Sequence, residues 1–410
     1  MHLPNSKILN KYIFREILSP FVVSIFVFTG VLFLAKVLRL LEMVISKSVP
    51  IWDIVLLFSF IVPRFLELAI PMSLLIGVLV AFGRFSGDSE LIVMRASGIS
   101  LRKLTKPVVL FAILSCLITL SLSMFIRPWA TYNFGRGMFE IAQKRTSSAL
   151  SEGVFNKLGP LTIYAESIDS DTGKLENVII SDRRNSDDTS NFIAKNGQLI
   201  SNVDERSLML RLYDGSIQQG VGLDYVVTNF DINNIQLDID ELEDEDGERG
   251  GKKTSEMYLS ELSSNIEFIS AAPKPLSKKD QKRLGRNLVE YHRRFIVPSA
   301  CLVVAIIAMA LGIQPSRGGE SWGMIVNVIV GVLVIILYYI SLAFVSAIGK
   351  NNPSMVWALM WLPNIILLSV GLYLYKLMDS ERWMTVSQAL KHFFVNLAKK
   401  LRLLDKEASI

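Results

Sequence analysis

Six long apolar runs alternate with polar segments, three toward each end of the chain, with a long mixed region between the two groups. As helices rising about 1.5 Å per residue, all six can cross a bilayer core of about 30 Å. The pattern predicts spans at Ile17–Val37, Ile54–Phe82, Pro107–Ile126, Phe295–Ile313, Met324–Ile348 and Met355–Leu377. The second is unusually long and carries Pro63 and Pro71, which predicts a kink or a tilt. Lys7, Lys11 and Arg15 precede the first run. That run is too long for a signal-peptide core and lacks a convincing cleavage site, so it is expected to stay as an anchor.

Between the second and third runs stands SGDSELIVMRASGIS, Ser86 to Ser100. It predicts a short helix with Asp88 as N-cap, Ser89 and Glu90 in the first turn, and Gly98 as the stop. A helix this short is marginal alone in water, so something else must hold it.

The mixed region has a different texture. LTIYAES, NVIISD, NFIAKNGQLI, LMLRLYDGSI and YVVTNFDI are short β-rich runs, several of them alternating apolar and polar residues. KNG, YDG and LGP are read as the turns that separate them. The spacing predicts an antiparallel sandwich or jelly roll. ELEDEDGERGGKKTSE follows as a solvated loop, then two helical stretches, one near Glu256–Ser270 and one from Ser277 into span four. GERGGKKT mimics a P-loop, but its lysine pair does not satisfy the motif and no strand–loop–helix context surrounds it.

The chain thus reads as an α+β membrane protein, with six transmembrane helices and an antiparallel β domain, sandwich or jelly roll, inserted between the third and fourth. Its expected domains are 1–126, 127–294, 295–378 and a tail at 379–410. In SQALKHFFVNLAKKLRLL, Leu390, Phe393, Phe394, Leu397, Leu401 and Leu404 share one helical face, with Lys391, Lys399, Lys400 and Arg402 adding basic character. This tail reads as an amphipathic helix on a membrane surface or on a partner.

Charge sets the orientation. The N-terminus has three basic residues, the 84–106 loop has Arg84, Arg95, Arg102, Lys103 and Lys106, the 314–322 loop has Arg317, and the tail has six more. The opposite side holds Lys36, Arg39, Lys47 and Lys350. The positive-inside rule therefore predicts cytoplasmic termini, a cytoplasmic stub and a β domain on the outer side. The chain has 410 residues, 51% hydrophobic and 20% charged, with a net charge of +5. That charge is too small to argue for nucleic acid, and membrane lipids are the expected partner of the basic residues. Cys116 and Cys301 lie in apolar runs, and His2, His292 and His392 are far apart without metal-ligand spacing. No catalytic constellation, metal site or cofactor site is expected.

Several strings together resemble the lipopolysaccharide-export permease family, the F- and G-type membrane subunits of an ATP-driven transporter. They are KYIFREIL, IPMSLLIG before GRFSGDSELIVMRASGIS, and EYHRRFIVPSACLVVAIIAMALGIQPSRGG. The resemblance runs from Tyr12 to about Leu377, and YIFRE and QPSRGG look more like the F-type. It implies a six-helix permease with a periplasmic β-jelly roll, paired with a homologous G-type subunit above a cytosolic ATPase dimer. Asp88–Ala96 would be the coupling helix, with Asp88, Glu90, Leu91, Met94 and Arg95 as its ATPase-coupling set. Lys36 and Arg39 in LAKVLRLL stand where the family carries basic residues near the outer end of span one. The function implied is extraction of lipopolysaccharide from the outer leaflet of the inner membrane and delivery to periplasmic jelly-roll bridge proteins.

Each candidate also has a structural reading. Glu90 is a first-turn carboxylate that the helix dipole favours by about 0.3–1 kcal/mol. Lys36 and Arg39, three apart, share a helix face and could hold lipid phosphates or simply snorkel, and Lys350 is a further candidate on that side. Arg64 and Glu67, within span two, are either a self-paired bridge or cavity-lining, while Arg127 reads as an interface anchor. An open jelly roll could shield acyl chains, each methylene worth about 0.8 kcal/mol, whereas a closed one would only scaffold. The rival functions are a mechanotransmitting permease, which usually has fewer spans, and a lipid-modifying enzyme using Glu67 or Asp88.

Overall fold

The computed structural model describes residues 6–45, 51–149, 151–158, 161–169, 173–183, 190–202, 206–219, 226–237, 252–273, 276–313 and 322–378. The acidic stretch at 238–251, most of GERGGKKT, the QPSRGG loop and the tail from 379 lie outside the described residues.

Helices α1 (Ser6–Ile45), α2 (Ile51–Gly87), α3 (Glu90–Ala96) and α4 (Leu101–Ser121) lead through a π-helical turn, Leu122–Ile126, into α5 (Arg127–Ala149). Strands β1 (Asn156–Leu158), β2 (Leu161–Asp169), β3 (Lys174–Asp182), β4 (Ser190–Asn202), β5 (Ser207–Gln219) and β6 (Val226–Leu237) follow. Helices α6 (Leu259–Ser270), α7 (Lys278–Gly312), α8 (Trp322–Asn351) and α9 (Val356–Met378) complete the described chain. Six helical stretches are long and apolar enough to cross a membrane, three before the sheet and three after it. Helices overrun the predicted spans where polar residues continue the backbone ladder. α4 passes through the π turn into α5 without leaving helical geometry, and α7 starts at Lys278, where the Ser277 hydroxyl accepts from the Lys279 amide.

The chain forms two compact units. The membrane unit gathers residues of Met1–Arg39, Ile61–Trp129 and Thr254–Ile410, and the β unit those of Leu40–Phe60 and Ala130–Lys253. In the membrane unit α7 is the hub, with 78% of its apolar stretch buried against 17% of that in α1. Leu74, Val78 and Phe82 of α2 pack with Ile13 and Ile17 of α1, Leu104 and Val108 of α4, and Val304 and Ala308 of α7. The outward apolar side chains of α1, such as Phe26, Val31 and Leu34, are left for lipid or a partner.

Close helix approach needs small residues at the contact. A Cβ at Gly285 of α7 would run into the Lys350 carbonyl oxygen and lie 2.8 Å from that of Gly349, both backbone atoms of α8. Gly285→Ala is therefore expected to force the helices apart and cost about 1–3 kcal/mol. Gly30→Ala, where a Cβ meets nothing within 4 Å, should be neutral or mildly stabilising because alanine is the better helix former. Thermal melting of the two purified variants checks the pair, and equal melting temperatures would refute the close-contact argument.

The β unit holds a six-stranded antiparallel sheet in which each strand pairs with the next in sequence. Six membrane-crossing helices with an antiparallel sheet between the third and fourth is the expected fold. The neighbours among the described strands are sequential, without the crossovers of a Greek-key jelly roll. The sheet nevertheless closes over its own core. Leu161, Ile163 and Ala165 of β2 and Val178 and Ile180 of β3 share one apolar cluster with Leu175 and with Leu208, Leu210 and Leu212 of β5. Side chains alternate along a strand, so Leu175 and Val178 can both point inward only if the strand turns over between them.

That turnover follows a single line across the sheet. Register places Glu166, Asn177, Lys195, Asp214 and Asp231 side by side on five strands, and at this row the ladder pairing lapses in each pair from β2–β3 to β5–β6. Asn177 and Asp214 adopt left-handed backbone there, with φ of 47° and 50°. KNG and YDG, expected to be turns between strands, lie instead at this crease inside β4 and β5. Their turn-forming residues bend strands rather than end them, as where strands change sheet at a corner. Gly215 belongs to the same device, because a Cβ there would strike the Ile193 carbonyl and the Phe230 ring.

Candidate functional site

The stub α3 is seven residues long and is held from both ends. Asp88 is not its N-cap. The Asp88 amide still bonds the Arg84 carbonyl at 2.9 Å, which closes α2, and Ser89 takes the cap position with φ 59° and no side-chain cap. Ser89 offers its carbonyl to the amides of Ile92 and Val93 instead. At the other end Gly98 stops the helix with φ 82°, and the Ile99 amide reaches back to the Met94 carbonyl at 3.1 Å. Leu91 is buried in the main apolar core and Met94 packs against it, while Ile92 and Val93 face outward.

A polar knot secures the first turn. The Tyr12 hydroxyl of α1 donates to the Glu90 carboxylate at 2.9 Å, and Arg84 Nη2 donates to the same hydroxyl at 2.9 Å. Arg84 also meets Glu16 at 2.5 Å and lies 3.8 Å from both Asp88 and Glu90. Phe85 backs the knot, with its ring 5.6 Å from that of Tyr12 and the Arg84 guanidinium above it. Sequence reasoning singled out Glu90 and Asp88 but not Tyr12, Glu16 or Arg84. Tyr12 lies 78 positions from Glu90 and 72 from Arg84, a distance no spacing rule spans.

A second cluster is buried in the membrane unit. Glu67 of α2 is wholly buried, accepts from the Ser123 hydroxyl at 2.9 Å, and lies 3.2 Å from Arg127 Nε. Arg127 Nη1 is 2.9 Å from Glu290 of α7, which also meets Arg293 at 3.5 Å and Arg294 at 3.4 Å. The Arg127 contacts are ion pairs without hydrogen-bond alignment, whereas Arg294 Nη2 donates to the Met257 carbonyl at 2.7 Å. The π turn lies immediately before this cluster, and the Arg127 amide bonds the Leu122 carbonyl five residues back.

This overturns two expectations. Arg127 is not an interface anchor, because its side chain is 3% exposed and joins three helices. Glu67 is not bridged to Arg64, because burial leaves its carboxylate facing Arg127 while Arg64, three residues earlier, is exposed. Among the described residues Arg64 has no hydrogen bond or ion pair. The signal that could have found the pairing is elementary: a carboxylate inside an apolar run needs a counter-charge, and the helix ends of other spans supply it.

Lys36 and Lys350 are both exposed, and the Arg39 side chain lies outside the described residues. The β unit adds a groove of about 650 Å³ at the crease, with Tyr164, Asn177, Ile179, Ile193, Lys195 and Asp231 among its lining.

Three membrane-crossing helices before an antiparallel β unit in the chain and three after it, with a short helical stub between the second and third, define a multi-pass membrane protein of three-plus-three design. A family model described as lipopolysaccharide export system permease LptF/LptG matches residues 11–377, and the chain belongs to that family. It is 23% identical over 377 residues to the lipopolysaccharide export system permease protein LptF of Escherichia coli K12, covering 90% of this chain and 94% of that one. An uncharacterized protein of Rickettsia prowazekii is 24% identical over 369 residues, 89% of this chain and 97% of its own. The LptG permease protein of Haemophilus influenzae is 27% identical over 176 residues, 42% of this chain and 48% of that one. The chain thus belongs by family to the lipopolysaccharide-export permeases, a family of transport proteins.

Proposed function

We propose that this chain is the F-type half of a paired inner-membrane permease that lifts lipopolysaccharide from the outer leaflet and hands it to a periplasmic jelly-roll bridge. A separate cytosolic ATPase dimer drives the cycle by seating against α3. The observation that carries the reading is the family match over residues 11–377, joined to a stub whose Leu91 is locked in the core while Ile92 and Val93 stand exposed. A stub fixed at both ends moves with spans two and three, so force applied to it reaches the membrane unit instead of being lost in a loop. The G-type partner is argued from the family's twofold naming and from the exposed apolar face of α1.

In this reading Lys36, with Arg39 three residues on, meets lipid A phosphates at the outer end of span one, and Lys350 and Arg64 add cations near the lipid. Glu67, wholly buried and ion-paired, is a poor candidate for an acid or base of a lipid-modifying enzyme. The test is reconstitution with the paired permease and ATPase in vesicles, scored for ATP-dependent transfer of lipopolysaccharide to a soluble acceptor. No transfer from an assembly that hydrolyses ATP would defeat the proposal. A Lys36→Glu/Arg39→Glu variant should retain about tenfold less lipopolysaccharide on purification, the loss of one or two charge-assisted contacts. Wild-type retention would remove these two side chains from the site.

A further inference from the structure

We infer that one face of α4 together with Tyr375 forms a site for an anionic glycerophospholipid of the cytoplasmic leaflet, distinct from the export route. The observation is a groove of about 360 Å³ whose lining changes character along its length. Arg102 and Lys106 stand at one end, and Val109, Leu110 and Ile113 continue from them toward the middle of the span. Arg102, Lys106, Val109 and Ile113 are spaced four, three and four apart, so they fall on one helical face. Across the groove, the Tyr375 hydroxyl is 3.1 Å from Thr105 Oγ1, whose own proton goes to the Leu101 carbonyl. That bond pins α9 beside α4 and makes the tyrosine ring a wall.

The charge balance selects the ligand. Arg102 and Lys106 are exposed, and neither has a hydrogen bond or ion pair with a described residue. Among the described residues no carboxylate lines the groove, so two cations face it without a described counter-charge. The length fits as well. From Arg102 to Ile113 the helix rises roughly 16 Å, about half of a hydrocarbon core of roughly 30 Å. A phosphodiester held between the two cations would therefore place its acyl chains along Val109, Leu110 and Ile113, with Leu114, Leu117 and Ile118 exposed beyond them. The leaflet rests on the proposed orientation, because the same basic residues that mark the cytoplasmic side line the groove.

The assembled transporter, purified in mild detergent, is titrated with phosphatidylglycerol or phosphatidylcholine and read by native mass spectrometry. One phosphatidylglycerol should stay bound in preference to phosphatidylcholine. Arg102→Gln/Lys106→Gln should weaken that binding about 20-fold, the effect of two surface cations on an anionic lipid, while Lys103→Gln, off the groove face, should leave it unchanged. Leu110→Trp supplies a second reading, since it fills the groove without altering charge and should also expel the lipid. Unaltered binding in both groove variants, an equal loss with Lys103→Gln, or a wild-type groove covered by another chain with no lipid bound would each overturn the site. ATP-driven lipopolysaccharide transfer, measured on the same preparations, reports separately. Its absence with phosphatidylglycerol still bound defeats the export reading and leaves this one standing.

Discussion

Replacing Arg127 with methionine is expected to remove about 3–5 kcal/mol of stability, the usual cost of deleting one partner from a buried ion cluster. Methionine keeps much of the length, so the loss is electrostatic rather than a cavity effect. The two carboxylates it abandons are not equivalent. Glu290 keeps Arg293 at 3.5 Å and Arg294 at 3.4 Å, whereas among the described residues Glu67 keeps the Ser123 hydroxyl alone, at 2.9 Å. Neutralising Glu67 should therefore recover most of the loss, and Arg127→Met/Glu67→Gln should melt well above Arg127→Met alone. Pairing Arg127→Met with Glu290→Gln should not rescue, because Arg293 and Arg294 would then lose their counter-charge. Thermal unfolding of the detergent-solubilised variants as a double-mutant cycle measures this coupling. A zero interaction energy between Arg127 and Glu67 would show that the ion pair contributes nothing to the membrane unit.

The same cluster shows where reading from sequence ends. Long apolar runs announce membrane spans because the bilayer imposes both length and composition, and the runs of alternating residues announced strands for a similar reason. Both signals are periodic and local. The pairing of Glu67 with Arg127 and of Arg127 with Glu290 is neither, and the π turn just before Arg127 is marked by no composition. KNG and YDG teach the complementary lesson. Their residues favour left-handed backbone, which is a property of the chain, but whether such a residue ends a strand or folds a sheet is decided by its neighbours. Here the neighbours are aligned Glu166, Asn177, Lys195, Asp214 and Asp231, a row that exists only after pairing. The stub was legible as an element, down to its Gly98 stop, because capping chemistry is local. Its cap moved by one residue to Ser89, since the Asp88 amide was still needed to finish α2.

Glu90→Lys is expected to abolish ATP-dependent lipopolysaccharide transfer while leaving the amount of folded, membrane-inserted protein close to wild type. The two halves of that expectation follow from one comparison of magnitudes. The knot around Glu90 is partly solvent-exposed, with 43% of the Arg84 side chain and 32% of the Glu90 side chain accessible, and such pairs contribute about 0–1 kcal/mol. Leu91 and Met94 hold α3 in the core without it. A lysine at position 90 would sit beside Arg84 and lose the Tyr12 bond, yet it cannot cost enough to unfold the unit. Lost transfer would then have to arise at the surface that the ATPase is proposed to meet, or in the position of the stub that meets it. Tyr12→Phe separates these. It removes the bond at 2.9 Å to Glu90 but leaves the carboxylate charge in place. If Glu90 acts as a docking charge, Tyr12→Phe should retain transfer and ATPase binding, and Glu90→Lys should lose both. If the knot chiefly positions α3, Tyr12→Phe should bind the ATPase normally but couple hydrolysis to transfer poorly, and Glu90→Gln, which can still accept from Tyr12, should outperform Glu90→Ala. Full transfer by Glu90→Lys would mean that α3 receives no force through its first turn.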